Sequence, residues 1–274
     1  MDLYTKTSYQ LARTLTLNYS TSFGQSSKLF SKDIRHHIYA IYGLVRVADE
    51  IVDTYKGKNA TKLLKDLEFE TTQALKTGFS PNPLVHAFAT TAKRFDIKSD
   101  LIHPFFKSMH MDLESRDYKQ KDYENYIYGS AEVIGLMCLK VFCNNPSLYK
   151  RLSSGAQALG SAYQKVNFLR DIKSDYEERK RVYFPEVTFE TFDERQKEKI
   201  IVDIKKDFKK AKASITKLPN TSQKAVELSF AYYHELLKKL EKASADSIKQ
   251  GRLRVSTPKK MQLLIKTRLT KGDH

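Results

Sequence analysis

The stretch of sequence at residues 164–175 reads QKVNFLRDIKSD, and it determines how the rest of the chain is interpreted. At about 100° per residue on an α-helix, the side chains of Gln164, Asn167, Asp171 and Asp175 fall within an arc of about 80°. Two carboxylates one turn apart repel each other and weaken an isolated helix. A polar stripe in place of a core-facing stripe therefore suggests a functional site.

A second polar stripe lies about 120 residues upstream, where residues 46–53 read RVADEIVD. By the same spacing, Tyr42, Arg46, Asp49 and Asp53 share an arc of about 60°. A solvated acidic face would explain one such stripe, but apolar residues surround this one, namely Ile41, Val45, Ala48 and Val52. Two stripes on separate helices suggest facing walls of a single polar site.

The composition favours long helices. The chain has 274 residues with only 10 glycines and 7 prolines, which argues against a turn-rich β fold. No internal repeat or linker divides it, so we expect one all-α domain over residues 1–274. Helices are predicted after the N-cap residues Ser31 and Asp122, over residues 147–179, and on both sides of Pro219.

Positive charge is concentrated in the C-terminal part of the chain. Residues 197–274 contain 20 Lys and Arg against 8 Asp and Glu, so they carry +12 of the formal charge of +16. Solvated helix faces would explain this excess, and so would an anionic substrate or an anionic membrane surface. No nucleic-acid-binding motif accompanies the basic residues, so we expect no nucleic-acid partner.

The chain carries few signals for a compartment. Its cysteines, Cys138 and Cys143, cannot build a disulfide scaffold, which suits a reducing environment. Neither a signal peptide nor an apolar run of about 18 residues is present. We expect a cytoplasmic protein, with peripheral contact at the inner face of the membrane as the alternative that the basic charge leaves open.

The residue types in the two stripes restrict the chemistry. Histidine and cysteine are missing from both, which disfavours zinc, and oxygen-only ligands point to a hard cation, Mg²⁺ or Mn²⁺. Glu-x-x-His pairs of a di-iron bundle and a phosphate-binding GxxxxGK[ST] loop are also missing. Acidic helices that hold Mg²⁺ on a diphosphate inside an apolar bundle fit prenyl diphosphate chemistry.

Five blocks in order resemble the squalene/phytoene synthase family, whose members join two prenyl diphosphates head to head. The likeness covers nearly the whole chain, and Glu50 departs from it, since many members have a second aspartate there. The blocks are Ser20-Thr21-Ser22-Phe23, Tyr39-Ala40-Ile41-Tyr42 with Arg46 to Asp53, Tyr126 to Ala131 with Gly135, Gln164 to Asp175, and Arg181-Val182-Tyr183-Phe184-Pro185.

The resemblance implies a helical bundle of the isoprenoid synthase type with a central active-site cavity. It implies Mg²⁺-binding residues that hold the two diphosphates and stabilise the departing pyrophosphate. NADPH is not expected. The implied metal ligands are Asp49, Asp53, Asn167, Asp171 and Asp175, and the four aspartates count as catalytic.

The family pattern also implies residues that contact the substrate. Tyr128 matches a tyrosine near the reacting cation and counts as catalytic with the aspartates, with a core tyrosine as the alternative. Arg170 lies off the stripe and is expected to form a structural ion pair. Ala131 and Gly135 leave room either for a prenyl tail or for close helix packing. The implied substrate-binding residues are Ser20, Ser22 and Phe23 of a flap over one diphosphate, Tyr42, Arg46, Gln164, Asn167 and Arg254.

A short chain of this kind looks most like a bacterial phytoene synthase, a prenyltransferase of carotenoid biosynthesis that uses geranylgeranyl diphosphate. Dehydrosqualene or squalene synthesis from farnesyl diphosphate is the first alternative. A non-catalytic relative that acts as a scaffold or binds membranes is the alternative from another class. The sequence determines neither substrate length nor oligomeric state.

Overall fold

A computed structural model describes residues 1–114, 119–143, 145–179 and 181–269 of the chain. Helices account for 79% of the structure, and the described residues contain no strand. The predicted all-α class is therefore confirmed. None of the described helices combines the length and the apolar character needed to cross a membrane.

The helices follow one another with short connections, and two of them continue into π-helical turns, at Glu50–Thr54 and Tyr128–Glu132. The α-helices of the described ranges are α1 (Leu3–Tyr19), α2 (Thr21–Ser27), α3 (Lys32–Asp49), α4 (Ala60–Thr77), α5 (Pro83–Arg94), α6 (Ser99–Asp112), α7 (Gln120–Ile127), α8 (Val133–Phe142), α9 (Pro146–Arg179), α10 (Glu194–Ile215), α11 (Gln223–Lys242), α12 (Ala245–Gln250) and α13 (Thr257–Leu269).

Most helix boundaries follow local sequence signals. Ser31 occupies the N-cap position of α3, as predicted. Asp122 is not an N-cap: α7 begins two residues earlier, and Asp122 lies in its first turn, where a carboxylate still interacts favourably with the helix dipole. Helix α4 ends at Thr77, and its C-cap is Gly78, whose φ of 81° suits a residue without a Cβ atom.

The apolar core consists of two large clusters that share Phe230. The first lies among α3, α4, α5, α6 and α8, and the second lies among α7, α9, α10 and α11. Two ion pairs connect α9 and α10 beside the second cluster. The Nζ atom of Lys165 on α9 lies 2.5 Å from a carboxylate oxygen of Asp203 and 2.8 Å from one of Asp207, both on α10. The two acidic stripes thus belong to helices of different clusters.

Glycines bring α9 unusually close to its neighbours. A Cβ atom at Gly160 would lie 2.5 Å from the carbonyl oxygen of Ala131, in the π-helical turn before α8. A Cβ atom at Gly135 of α8 would lie 2.7 Å from the carbonyl oxygen of Ala156 on α9. Both obstacles are backbone atoms, so only glycine permits this approach.

The two cysteines remain unpaired, as expected. Burial raises the pKa of Cys138 to about 12 and that of Cys143 to about 11. Both thiols therefore stay protonated and act as small apolar groups.

A buried polar cluster joins α1, α3 and α5. The Nδ1 atom of His37 lies 2.9 Å from Thr91 Oγ1 and 3.1 Å from the Tyr9 hydroxyl. The pKa of His37 is lowered to about 3, chiefly by burial and in smaller part by the nearby positive charges of His36 and Arg94. The folded protein therefore holds His37 in its neutral form.

We predict that Gly160→Ala destabilises the protein by about 1–3 kcal/mol, because the added methyl group meets backbone that cannot move without separating two helices. Gly251→Ala is the matched control, since a Cβ atom there has nothing within 4 Å. The free energy of unfolding, from urea titration, measures both changes. Equal stabilities of the two variants would contradict the close contact.

A second prediction concerns pH. The unfolded chain protonates His37 near pH 6.5 and the folded chain only near pH 3, so the unfolded state binds more protons between these values. Stability should therefore fall as the pH decreases from 6.5, with a slope of up to about 1.4 kcal/mol per pH unit. His37→Gln should flatten this slope in urea titrations at several pH values. His103→Gln, on a side chain that is 73% exposed, should leave it unchanged.

Candidate active site

One large cavity, with a volume of about 680 Å³, lies between α3, α8, α9 and α11. Along both α3 and α9 its lining changes from apolar to acidic toward the C-terminal end of the helix. Its acidic end contains Asp49 and Asp53 from the first stripe and Asp171 and Asp175 from the second. Its apolar part is lined by residues that include Phe30, Ile38, Ile41, Leu139, Phe142, Leu152, Leu159 and Ile215.

Arg46 organises the first acidic stripe. Its guanidinium lies 3.3 Å from Asp49 Oδ2 and 3.2 Å from Glu50 Oε1, and it sits 5.0 Å from the centre of the Tyr19 ring. The Nε atom of Arg46 is buried and has no hydrogen-bond partner. Arg46 is thus an ion-pair partner of Asp49, and one of its hydrogen-bond donors remains unsatisfied.

Asp49 is a partly buried carboxyl group that lies near three other carboxyl groups. The pKa of Asp49 is raised to about 7, chiefly by burial; Arg46 acts to lower it, and the charges of Asp53, Asp112 and Glu50 contribute to the rise. Crowding several carboxylates in a poorly solvated place disfavours their charged forms. A cation in the cavity would relieve this repulsion.

Asp171, in the second stripe, is held by two arginines. Its carboxylate accepts hydrogen bonds from Arg170 at 2.9 and 2.5 Å and from Arg252 at 3.2 Å, and it forms an ion pair with Arg252 Nε at 2.8 Å. The ion pair expected of Arg170 therefore forms with its sequence neighbour. Paired guanidinium groups are also suited to bidentate contacts with phosphate oxygens.

Asn167 lies on the same face of α9, and its Oδ1 atom is buried without a partner. An unpaired buried carbonyl oxygen is costly, so it marks a place where a ligand atom belongs. Asn167 and Gln164 both line the cavity beside Asp171. This set of oxygen donors fits Mg²⁺ or Mn²⁺.

The acidic pairs do not form a closed metal site by themselves. Among the residues that the structure describes, no three His, Cys, Asp or Glu side chains are grouped closely enough to hold an ion. Since Mg²⁺ usually completes its coordination with water and substrate phosphates, open carboxylate walls are compatible with binding of a metal together with a diphosphate.

The predicted flap lines the cavity next to α3. Ser20 is the N-cap of α2, and its Oγ accepts a hydrogen bond from the backbone N–H of Phe23. The Phe23 ring stacks on the Tyr42 ring with centroids 5.2 Å apart. Ser20, Ser22, Phe23 and Tyr42 all line the cavity, so the structure brings these four predicted residues together with the acidic stripes.

Tyr128 does not line the cavity, whereas Tyr126 does. The α-helical period does not continue from Tyr128 to Gly135, because Tyr128–Glu132 forms a wider π-helical turn. That turn changes the angular position of every residue before it. Ala131 and Gly135 do line the cavity, and Gly135 also makes the close contact with Ala156.

Arg254 does not line the cavity either, whereas Arg252, two residues earlier, does. Arg254 is exposed, and its carbonyl oxygen accepts a hydrogen bond from Lys239. Both arginines lie between α12 and α13, where no helical period indicates which side chain turns inward. The segment's packing against α9 decides it.

Sequence reasoning missed Asp112, which ends α6 and lines the cavity. Its carboxylate accepts hydrogen bonds from the Tyr126 hydroxyl at 2.7 Å and from the Tyr183 hydroxyl at 3.1 Å, and it lies 3.2 Å from Arg181. The RVYFP block at residues 181–185 therefore anchors Asp112. No local motif surrounds Asp112, so only these partners reveal it.

Solved structures share this fold. A dehydrosqualene synthase superposes with a TM-score of 0.81 at 19% identity, covering 96% of each chain. The squalene synthase HpnC from Alicyclobacillus acidocaldarius superposes with a TM-score of 0.76 at 18% identity, covering 92% of this chain and 98% of its own. At these identities the likeness shows the fold alone.

Proteins of similar sequence include phytoene and diapophytoene synthases. The phytoene synthase of Arthrospira platensis is 28% identical over 284 aligned positions, which cover 94% of this chain and 91% of that protein. The 4,4'-diapophytoene synthase of Staphylococcus haemolyticus is 28% identical over 189 positions, 67% of this chain and 64% of that protein. This chain therefore covers less than two thirds of the staphylococcal relative.

The family model for squalene/phytoene synthases matches residues 16–259. This range contains both acidic stripes and every cavity-lining residue named above. The sequence-based expectation of the family, and of its prenyltransferase class of enzyme, is confirmed. The chain belongs to the squalene/phytoene synthase family.

Proposed function

We propose that the protein joins two molecules of geranylgeranyl diphosphate head to head and forms phytoene. The observation that supports this most directly is the cavity, which has two pairs of aspartates at one end and an apolar lining at the other. A prenyl diphosphate has the same division into an anionic head and an apolar tail. The similarity to a phytoene synthase over 94% of the chain favours this product.

The metal-binding residues that we propose are Asp49, Asp53, Asp171, Asp175 and Asn167. The unpaired Oδ1 atom of Asn167 beside the second acidic pair supports this choice. Mg²⁺, or Mn²⁺ in its place, would supply charge neutralisation for the diphosphates and for the departing pyrophosphate.

The arginines complete the binding of the anionic head. Arg46 keeps an unpartnered Nε at the cavity, and Arg170 and Arg252 hold guanidinium groups at the other acidic wall. These three groups can donate hydrogen bonds to diphosphate oxygens from both sides. Ser20 and Ser22 at the start of α2, with Gln164 on α9, provide further polar contacts at the same end.

The reaction has two steps, each releasing one diphosphate and one proton. First, the donor loses diphosphate, the acceptor's double bond attacks the allylic cation, and a cyclopropylcarbinyl diphosphate forms. This intermediate then ionises and rearranges to the 1,1′-linked hydrocarbon. Water would quench both cations, so the apolar walls, together with the stacked rings of Tyr163 and Tyr233, protect them by exclusion. No hydride donor is required.

Condensation of farnesyl diphosphate to a C30 product is a second candidate. The staphylococcal diapophytoene synthase is as similar in identity, 28%, as the phytoene synthase. Both candidates use the same carboxylates and differ in the length of the prenyl tail.

A product assay tests this choice. The purified protein is incubated with Mg²⁺ and either geranylgeranyl or farnesyl diphosphate, with and without NADPH, and the extracted hydrocarbon is identified by mass spectrometry. We expect a C40 product that forms without NADPH. A C30 product would move the assignment to the second candidate, and no product from either substrate would favour a non-catalytic relative.

The aspartates have a separate test that includes binding. We predict that Asp49→Asn and Asp171→Asn each lower turnover by at least about 100-fold, because each removes an anionic ligand from a water-poor site. Both variants should also lose the rise in melting temperature that Mg²⁺ with inorganic diphosphate gives the parent protein. Asp66→Asn, on a side chain of α4 that is 56% exposed, is the control. Parent-like behaviour of both site variants would exclude the proposed metal-binding residues.

A further inference from the structure

Helix α13 presents an apolar stripe to solvent. Met261, Ile265 and Leu269 are 46%, 51% and 77% exposed. Their spacing of four residues places them within an arc of about 80°, and buried Thr267 lies about 160° from the middle of that arc. These three side chains, the α13 stripe, therefore point directly away from the protein.

The same helix is strongly basic. Thr257–Leu269 contains four basic residues and no acidic one: Lys259, Lys260, Lys266 and Arg268. Arg268 lies about 20° beyond Met261 and Lys266 about 60° beyond Leu269, so exposed cations border the stripe on both sides. An exposed apolar strip with cationic borders is typical of helices that lie in a membrane interface.

We propose that α13 docks the protein on an anionic lipid surface, with the α13 stripe among the acyl chains and its basic borders at the phosphate head groups. Charge complementarity selects this occupant, because residues 197–274 carry +12 of the net charge of +16. A second copy of the chain would bring one basic helix against another, which like-charge repulsion opposes.

The docking helix is attached to the cavity wall. The hydroxyl of Tyr232, a cavity-lining residue of α11, lies 3.3 Å from the carbonyl oxygen of Lys260 and 2.9 Å from Gln25 Oε1 of α2. A membrane bound at α13 therefore lies next to elements that line the cavity. The advantage for a lipid substrate rests on the proposed function, whereas the docking itself does not.

Sedimentation with vesicles tests the docking surface. The vesicles consist of phosphatidylcholine alone or of phosphatidylcholine mixed with phosphatidylglycerol. The triple variant Met261→Ser, Ile265→Ser, Leu269→Ser keeps every charge, and we expect it to lose about tenfold or more in partition to the anionic vesicles. Val202→Ser removes an apolar side chain of α10 that is 54% exposed and should behave like the parent.

Two double variants test whether the basic residues of α13 contribute more to binding than basic residues elsewhere. Lys266→Gln with Arg268→Gln should also lower partition by about tenfold or more. Lys199→Gln with Lys206→Gln removes the same charge from exposed positions on α10 and should lower it less. Equal losses in the two double variants would show a diffuse attraction and overturn the assignment to α13.

A fluorescence measurement tests the docking surface without relying on variants that lose binding. The chain contains no tryptophan, so Ile265→Trp introduces a single fluorophore on the α13 stripe. We expect its emission to shift to shorter wavelength with anionic vesicles and to be quenched by brominated acyl chains, and Val202→Trp to show neither effect.

Three further results would overturn the proposal. They are parent-like binding by the triple serine variant, unchanged emission of Ile265→Trp with anionic vesicles, and dissociation of a dimer by the serine substitutions with vesicle binding intact. The last result, read by analytical ultracentrifugation, would assign the stripe to self-association. If the protein binds vesicles but forms no product in the assay, the docking proposal stands and only the proposed reaction is excluded.

Discussion

Helix α9 approaches the backbone of the π-helical turn Tyr128–Glu132 so closely that a Cβ atom at Gly160 would lie 2.5 Å from the carbonyl oxygen of Ala131. The reciprocal contact of Gly135 with Ala156 leaves α8 and α9 little freedom to shift relative to each other. Because α9 carries the second acidic stripe, this backbone contact fixes where Asp171 and Asp175 point. The small residues of these contacts, Ala131, Gly135, Ala156 and Gly160, also line the cavity.

Opposite charges hold the acidic end of the cavity in position. Arg46 pairs with Asp49 and Glu50 on one wall, and Arg170 and Arg252 pair with Asp171 on the other. The arginines orient the carboxylates without filling the space between the walls. Under the proposed function, the same guanidinium groups would also contact the anionic head group of the substrate.

Charge is distributed over the molecule in two distinct ways. Inside, carboxylates gather at one end of an apolar cavity, and this favours cations there. Outside, the C-terminal helices carry most of the positive excess, and α13 combines it with exposed apolar side chains. Both features suit ligands that have an anionic head and a hydrocarbon tail, one as a bound molecule and the other as a surface.

The sequence alone determined the helices and the composition of each acidic stripe, because hydrophobic period, caps and i, i+4 spacing are local properties. It therefore predicted Asp49, Asp53, Asp171 and Asp175, and their family. Only the tertiary structure decided that Tyr126 rather than Tyr128 lines the cavity, because a π-helical turn breaks the α-helical period. It alone placed Asp112 and Arg252, because their partners, Arg181 and Asp171, lie 69 and 81 residues away. Contacts over such separations depend on how whole helices pack, which no local pattern encodes.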